Sequence, residues 1–282
     1  MKIAISAEST IDMPSDLLKK FDINTVPFSV QLGEKLALDG EINPQEIFDY
    51  VKATKALPKT SAVNEYQYVE HFEKLLKTHD AIIHFTLSKE MSCAYENAIK
   101  ASKNFENVYI INSNSLSTGI ALLAIYASEL RETMSNPKEI VNAVEKRIPF
   151  VQASFVLEKL DYLRRGGRCS ALQLFGANLL QLRPEILVEN GKMSPSKKFR
   201  GNFENCVKSY CEDILNKFNT PDLKTAFVTF TTATETMVES AVSALKAKGF
   251  QNIFTTHAGA TITSHCGEHC LGILYINDGN QK

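Results

Sequence analysis

The densest group of reactive side chains is the stretch SHCGEHC, residues 264 to 270. Two histidines, His265 and His269, stand four residues apart, as do the two cysteines, and on a helix each pair would share one face and could ligate zinc. Gly267 interrupts the stretch, however, and the apolar segment LGILYIN follows at once, so the long helix of a histidine metal motif is missing. The spacing leaves open a zinc site or a glycine turn with buried cysteines.

Serine and threonine hydroxyls form a second group, in turns beside predicted strands. The turns are ESTID, KTSAVN, TLSKEMS and NSNSLSTG. Such hydroxyls commonly cap helices, which accounts for them without any ligand. In a parallel α/β sheet, however, the ends of strands and the starts of helices meet at one edge, where hydroxyls and free N–H groups also bind anions. Both interpretations stay open at this stage.

Arginines around a Gly-Gly turn form the third group. The stretch YLRRGGRCS contains Arg164, Arg165 and Arg168, and KKFRG adds Arg200. A solvated basic loop explains them, and so does a guanidinium near a cleft or a docking patch for an acidic partner. The sequence has no phosphate-loop motif, no dinucleotide fingerprint after a strand and no G-x-S-x-G elbow, so nothing indicates nucleotide or esterase chemistry.

The elements that must position these groups alternate between strand and helix. Strands are predicted at KIAISA, NTVPFSV, AIIHFTL, NVYIINS, TAFVTFT, NIFTTHA and GILYIN. Amphipathic helices are predicted at PQEIFDYVKATK, YQYVEHFEKLLKTH and ATETMVESAVSALKAKG. The pattern changes near residue 155, with a helix through ALQLFGANLL and a hairpin turn at Asn190–Gly191. We therefore expect an α/β protein of two domains, 1–155 and 156–282, with mostly parallel sheets and a cleft between them.

Composition excludes several classes of partner. The chain of 282 residues is 44% hydrophobic, and its 31 basic and 32 acidic residues are interspersed, which predicts neither nucleic-acid binding nor a membrane surface. The apolar run GIALLAIYA is far shorter than the roughly 20 residues of a membrane span. The start of the chain reads as a strand rather than a signal peptide, and the six cysteines fit reduced thiols, so a cytoplasmic location is expected.

Taken in order, these stretches resemble the motifs of the DegV family of bacterial fatty-acid-binding proteins over nearly the whole chain. The most specific match is Y-L-[RK]-[RK]-G-G-R-[IC]-S, at Tyr162–Ser170. The other matches are Glu8–Met13, Thr60–Ser61, Met91–Tyr95, the set Asn112, Ser113, Ser117 and Gly119, and the set His265, Gly267 and Gly272.

The resemblance implies a long-chain fatty acid bound in the interface of two α/β domains. Its carboxylate would be held by Thr60, Ser61 and Ser92, with His265 close by from the second domain. Arg168 and Arg200 match basic positions near the ligand head or the face that docks a kinase. In this family the protein is not itself an enzyme: a separate fatty acid kinase phosphorylates the bound acid to an acyl phosphate for phospholipid synthesis. Neither a cofactor nor a metal is implied, so SHCGEHC becomes a turn that directs His265 to the ligand.

Departures from the family pattern keep two questions open. Glu8 and Asn112 stand for aspartates, Cys93 stands for glycine, and Glu268 and His269 replace the proline and glycine of the last turn. Side chains at Cys93 and His269 could change which fatty acid fits, or whether the protein presents its acid to a kinase. Two other hypotheses remain: an enzyme for a small phosphorylated or carboxylated metabolite, with Ser92 as nucleophile and His265 as base, and a zinc protein.

Overall fold

The computed structural model describes residues 1–169 and 182–279, which form an α/β protein with three sheets. The strands are β1 (Ile3–Glu8), β2 (Ile23–Val26), β3 (Ser29–Leu32), β4 (Lys35–Leu38), β5 (Lys59–Ser61), β6 (Ala81–Thr86), β7 (Val108–Asn112), β8 (Val151–Leu157), β9 (Arg183–Glu189), β10 (Lys192–Phe199), β11 (Thr225–Phe230), β12 (Asn252–His257) and β13 (Cys270–Ile276). The α-helices are α1 (Ser15–Lys20), α2 (Pro44–Thr54), α3 (Glu65–Leu76), α4 (Ala94–Ser102), α5 (Thr118–Leu130), α6 (Pro137–Arg147), α7 (Asp161–Gly166), α8 (Phe203–Lys217), α9 (Glu235–Lys248) and α10 (Ala260–Cys266).

The first sheet has the order β2-β1-β6-β7, and all its pairs are parallel. Every residue of β1 and β6 is buried, as expected for central strands covered on both faces. The parallel sheet predicted for the first half of the chain is therefore confirmed. Its strands end at one edge, where the turns rich in hydroxyl groups follow.

A small antiparallel sheet, β4-β3-β5, lies beside the first and corrects one prediction. The segment NTVPFSV does not form one strand, because β2 ends before Pro27 and β3 begins after it. Proline has no N–H to donate to a sheet, so it separates the strands that join different sheets. The division matters because β3 positions β5, pairing Val30 with Thr60 and Ser29 with Ser61.

The second sheet has the order β10-β9-β8-β13-β11-β12, and only the pair β11–β12 is parallel. The expectation of mostly parallel sheets is wrong here, because β13 inserts between β8 and β11 and runs antiparallel to both. The hairpin at Asn190–Gly191 is confirmed, with positive φ angles of 51° and 80°. The boundary predicted near residue 155 falls inside β8, and the division into two domains stays a prediction.

Helix α5 lies between the two main sheets, in contact with β1 on one side and with β8, β11 and β13 on the other. It is apolar nearly all round and almost wholly buried, as a helix between two layers must be. The largest apolar cluster therefore runs from the first sheet through α5 to one face of the second, including Phe155 and Leu274. Helices α8 and α9 cover the opposite face of that sheet.

The amphipathic helices predicted at α2, α3 and α9 are confirmed. Asn43 and Asn64 start α2 and α3 with capping boxes, and Thr234 caps α9. The helix predicted through residues 171–180 lies outside the described residues. Within the described ranges, no helix is long and apolar enough to cross a membrane.

Candidate functional site

A cavity of about 400 Å³ opens where the small sheet, the first sheet and α10 meet. Its described wall is mostly apolar, and its polar side chains include five of the six residues predicted to hold the ligand. The wall comprises Phe28, Thr60, Ser61, Ala62, Leu87, Met91, Ser92, Cys93, Leu116, Leu163, Arg168, Met193, Thr261, Ile262, His265 and Cys266. The sixth predicted residue, Arg200, is exposed just after β10 and is not among these wall residues.

A hydrogen bond between side chains 205 residues apart joins the two halves of the chain at this cavity. The hydroxyl of Thr60, on β5, lies 2.9 Å from Nε2 of His265, on the last turn of α10. Because β5 is fixed by β3 and α10 packs against α7, both partners come from supported elements. The structure therefore brings together His265 and Thr60, two of the residues that the sequence placed at the head group.

The imidazole of His265 is held neutral. Burial, and then the positive charge of Arg168, lower its pKa to about 4. Gly166 lets the ring pack closely, since a Cβ at that position would lie 2.8 Å from Nδ1. No hydrogen-bond partner for Nδ1 is found among the described residues. At neutral pH, His265 is thus an uncharged hydrogen-bond partner of Thr60 at the cavity wall.

Ser92 stands just before α4 and lines the same cavity. Its hydroxyl oxygen accepts a bond of 3.2 Å from the N–H of Ala94, which leaves the hydroxyl hydrogen available to a ligand. Cys93, beside it, is the N-cap of α4. It is exposed, and with the exposed wall residues Ser61 and Arg168 it forms the rim of the cavity. The partial positive charge at a helix start favours an anion at this position.

Arg168 brings a permanent positive charge to the cavity. The residue is exposed, and its guanidinium donates a 2.8 Å bond to the carbonyl of Gly166, the glycine that contacts His265. Ser61 is also exposed and forms part of the same rim. The rim thus combines hydroxyls with one cation, an arrangement that suits a carboxylate.

Two carboxylates that sequence reasoning did not single out as functional hold the start of α10. Asp12 accepts a 2.8 Å bond from the N–H of Gly259, and Asp39 accepts one of 2.8 Å from Ala260 and one of 3.4 Å from Thr261. Burial, opposed by a bond from Ser117 and aided by the charge of Asp39, raises the pKa of Asp12 to about 8. The first half of the chain thereby fixes the helix that carries His265.

Glu8 plays a comparable part for the loop that carries Ser92. Its buried carboxyl accepts a 2.8 Å bond from the N–H of Leu87, a wall residue, and further bonds from the hydroxyls of Tyr68 and Thr10. Burial, opposed by these bonds, raises the pKa of Glu8 to about 7. Glu8, which departs from the family motif, therefore supports the cavity wall and is not itself among the wall residues.

The stretch SHCGEHC divides between two environments. His265 faces the cavity, whereas His269 packs edge-on against Phe203 and lies 3.7 Å from Glu158. Gly267 adopts a φ of 73°, and a Cβ there would lie 2.5 Å from the Tyr162 ring, so the turn requires glycine. Both cysteines are buried. Among the described residues, no group of three or more His, Cys, Asp or Glu side chains could hold a metal ion.

Comparison with known proteins matches nearly the whole chain to one protein family. A family model described as "Uncharacterised protein, DegV family" matches residues 2–278. A protein of Thermotoga maritima named "Fatty acid-binding protein" is 31% identical over 209 residues, which are 72% of this chain and 73% of that protein.

Two solved structures share the whole fold. The first is described as fatty acid binding of a DegV family protein from Thermus thermophilus; it has a TM-score of 0.89 at 26% identity, over 98% of this chain and 100% of that one. The second is DegV, a fatty acid binding protein from Bacillus subtilis. It has a TM-score of 0.84 at 26% identity, over 99% of this chain and 100% of that one.

Proposed function

Because this chain belongs to the DegV family, we propose that it binds a long-chain fatty acid in the cavity between its two halves. The observation that carries the proposal is the convergence of Thr60, Ser61, Ser92, Arg168 and His265 on one apolar cavity of about 400 Å³. That volume lies within the usual range of small-molecule sites. The named relatives that bind fatty acids support the same ligand class.

Apolar burial provides the driving force. Transfer of a methylene from water contributes about 0.8 kcal/mol, so a chain of about sixteen carbons gains on the order of 10 kcal/mol. This gain exceeds the cost of ordering the chain and leaves tight binding. Leu87, Met91, Leu116 and Leu163 provide apolar wall for such a tail.

The head group needs partners because an unpaired carboxylate is expensive to bury. In the tautomer of neutral His265 that carries its hydrogen on Nε2, the ring donates to Thr60, and the Thr60 hydroxyl then donates to the carboxylate. Ser92 and Ser61 donate further bonds, and Arg168 supplies the opposite charge. A neutral imidazole and several hydroxyls can hold an anion without charging the protein interior.

The proposal extends to presentation of the acid to a partner kinase that forms an acyl phosphate, with no cofactor on this chain. The exposed rim residues Ser61, Cys93 and Arg168 would leave the carboxylate accessible to such a partner. Arg200, exposed outside the cavity, would belong to the docking face rather than to the head-group site. A cytoplasmic location is part of this proposal and would keep the six free cysteines reduced.

An enzyme with Ser92 as nucleophile and His265 as base is the alternative. It needs an acid that orients the imidazole, and Nδ1 of His265 has no hydrogen-bond partner among the described residues. Nε2 is engaged by Thr60 rather than by Ser92. The geometry therefore favours binding over catalysis.

Native mass spectrometry of the protein purified from bacteria tests the proposal, together with extraction and analysis of the bound lipid. We expect one fatty acid per chain, and we expect Ala62→Phe, which fills the cavity from its wall, to lose it. Ala37→Phe is the matched control, because Ala37 is also half-buried but lies on β4, outside the wall. A wild-type protein that is empty, and stays empty when offered acids of many lengths, would contradict the proposal.

A further inference from the structure

A second, much smaller apolar chamber of about 30 Å³ lies directly behind the cavity. The two spaces share three wall residues, Leu116, Ile262 and Cys266. Beyond these three, the chamber is walled by strands of the second sheet, including Phe155 on β8 and Leu274 on β13. The three shared residues therefore form a partition between the cavity and the interior of the second sheet.

Burial gives the direction of the path from cavity to chamber. The cavity rim contains the exposed residues Ser61, Cys93 and Arg168. At the partition, Leu116 and Cys266 are each only 6% exposed and Ile262 is half-buried, and Leu274 behind them is 3% exposed. A ligand whose head group stays at the rim thus has its tail directed inward, toward the partition.

The chamber is built for an apolar group. Three of the hydroxyls on its wall bond to other side chains: Ser117 to Asp12 at 2.5 Å, Ser154 to Tyr210 at 2.7 Å and Thr229 to Thr118 at 2.7 Å. The oxygen of the fourth, Thr231, accepts a 3.2 Å bond from the N–H of Cys270. The wall is also closely packed at Gly272, since a Cβ there would lie 2.4 Å from the carbonyl oxygen of Ser154. Most of these hydroxyls therefore offer no further bond to a polar tail terminus, whereas a methyl group needs none.

We propose that the partition formed by Leu116, Ile262 and Cys266 is the stop for the terminal methyl group and sets the longest acid that binds well. This inference rests on the proposed function and adds a chain-length limit to it. The chamber is about as large as the space of one water molecule in the liquid, so it cannot take several methylenes as it stands. A longer tail must displace the partition side chains, and a packed core resists such overpacking.

The test is a binding series of saturated acids that differ by two carbons. For the wild type, affinity rises about fourfold per methylene until the tail reaches the partition, and then stops rising. We call the chain length at which affinity stops rising the break. Leu116→Ala joins the cavity to the chamber and moves this break to acids longer by about two carbons. Cys270 lines the chamber but not the cavity, and its thiol lies beside that of Cys266. Cys270→Met fills the chamber, so the double variant Leu116→Ala/Cys270→Met returns the break toward the wild-type length.

Leu75→Ala is the matched control, because Leu75 is 7% exposed and belongs to the core without lining either space. It loses stability as Leu116→Ala does, but its break stays at the wild-type length. If Leu116→Ala does not fold, Ile262→Ala opens the same partition from α10. If Leu116→Ala or Ile262→Ala binds fatty acids but its break stays at the wild-type length, this inference is wrong and the proposed function stands. A wild-type chain that binds no acid overturns the proposed function, and the chain-length limit with it.

Discussion

The start of α10 is held by Asp12 and Asp39, whereas its last turn presents His265 to the cavity. Burial favours the uncharged form at both ends, so it raises the pKa of Asp12 to about 8 and lowers that of His265 to about 4. The two ends differ in their hydrogen bonds. The carboxyl groups of Asp12 and Asp39 accept bonds from backbone and hydroxyl groups. Near His265, by contrast, some donors have no acceptor among the described residues, such as the hydroxyl hydrogen of Ser92.

The groups at the start of α10 therefore hold the structure together, whereas those at its last turn are available to bind a ligand. Polar groups whose bonds are complete within the protein hold elements together, and their loss should appear as lost stability. Polar groups with spare bonding capacity at a cavity are available to a ligand, and their loss should appear as lost affinity. Substitutions at the two ends of α10 should therefore give different phenotypes.

The largest expected effect is at the start of the helix, in Asp39→Ala. The substitution leaves the N–H of Ala260 and the hydroxyl of Ser9 without their acceptor, and we expect the free energy of unfolding to fall by about 3 kcal/mol. Urea denaturation measures this change. Asp49→Ala is the control, because Asp49 is exposed and its side chain bonds to that of Gln45 on the same helix. Equal stability of the two variants would show that Asp39 does not hold α10.

The pH dependence of Asp12 should be the next largest effect. Its pKa rises from 3.8 to about 8 on folding, so the native state binds the extra proton between these values and stability falls as pH rises through them. We expect the free energy of unfolding of the wild type to fall relative to that of Asp12→Asn by about 2 kcal/mol from pH 5 to pH 7. Parallel stability curves for the two proteins would contradict this prediction.

The sequence predicted the elements whose signals are local. Alternating strands and amphipathic helices gave the first sheet, α2, α3 and α9, and the Asn190–Gly191 turn gave the β9–β10 hairpin. The order of the second sheet was not predictable in this way. The position of β13 between β8 and β11 depends on pairings between distant strands, which leave no periodic pattern in any one of them.

The candidate site shows the same limit. Cap-like hydroxyls and the histidines of SHCGEHC did not by themselves indicate that Thr60 and His265 meet, and only the family resemblance joined residues so far apart. Asp39 was missed because its backbone partners Ala260 and Thr261 lie more than two hundred residues away. A short Leu-Asp-Gly segment gives no sign of such a contact.

At the partner of His265 on β5, Thr60→Val should reduce affinity more clearly than stability. Valine keeps the shape of threonine but removes the bond to Nε2 of His265 and the donor to the ligand, so we expect a long-chain fatty acid to bind about tenfold more weakly. Isothermal titration calorimetry measures the affinity. Thr133→Val, at an exposed threonine with a local bond to Leu130, is the control and should bind as the wild type does. If both variants bound equally well, Thr60 would have no part in head-group recognition.

The smallest expected effect is also the most specific to the comparison, because Gly166→Ala should affect affinity and stability differently. Gly166 lies in α7 and its φ is not positive, so alanine is compatible with the backbone and favours the helix. The new Cβ would lie 2.8 Å from Nδ1 of His265, so the ring must shift away and its bond to Thr60 lengthens. We expect affinity for the acid to fall about threefold while the free energy of unfolding changes by less than about 1 kcal/mol.

Calorimetric titration and urea denaturation of the same variant measure both quantities. Unchanged affinity would mean that the position of the imidazole does not matter to the ligand, and a large loss of stability would place His265 with the architectural end of α10.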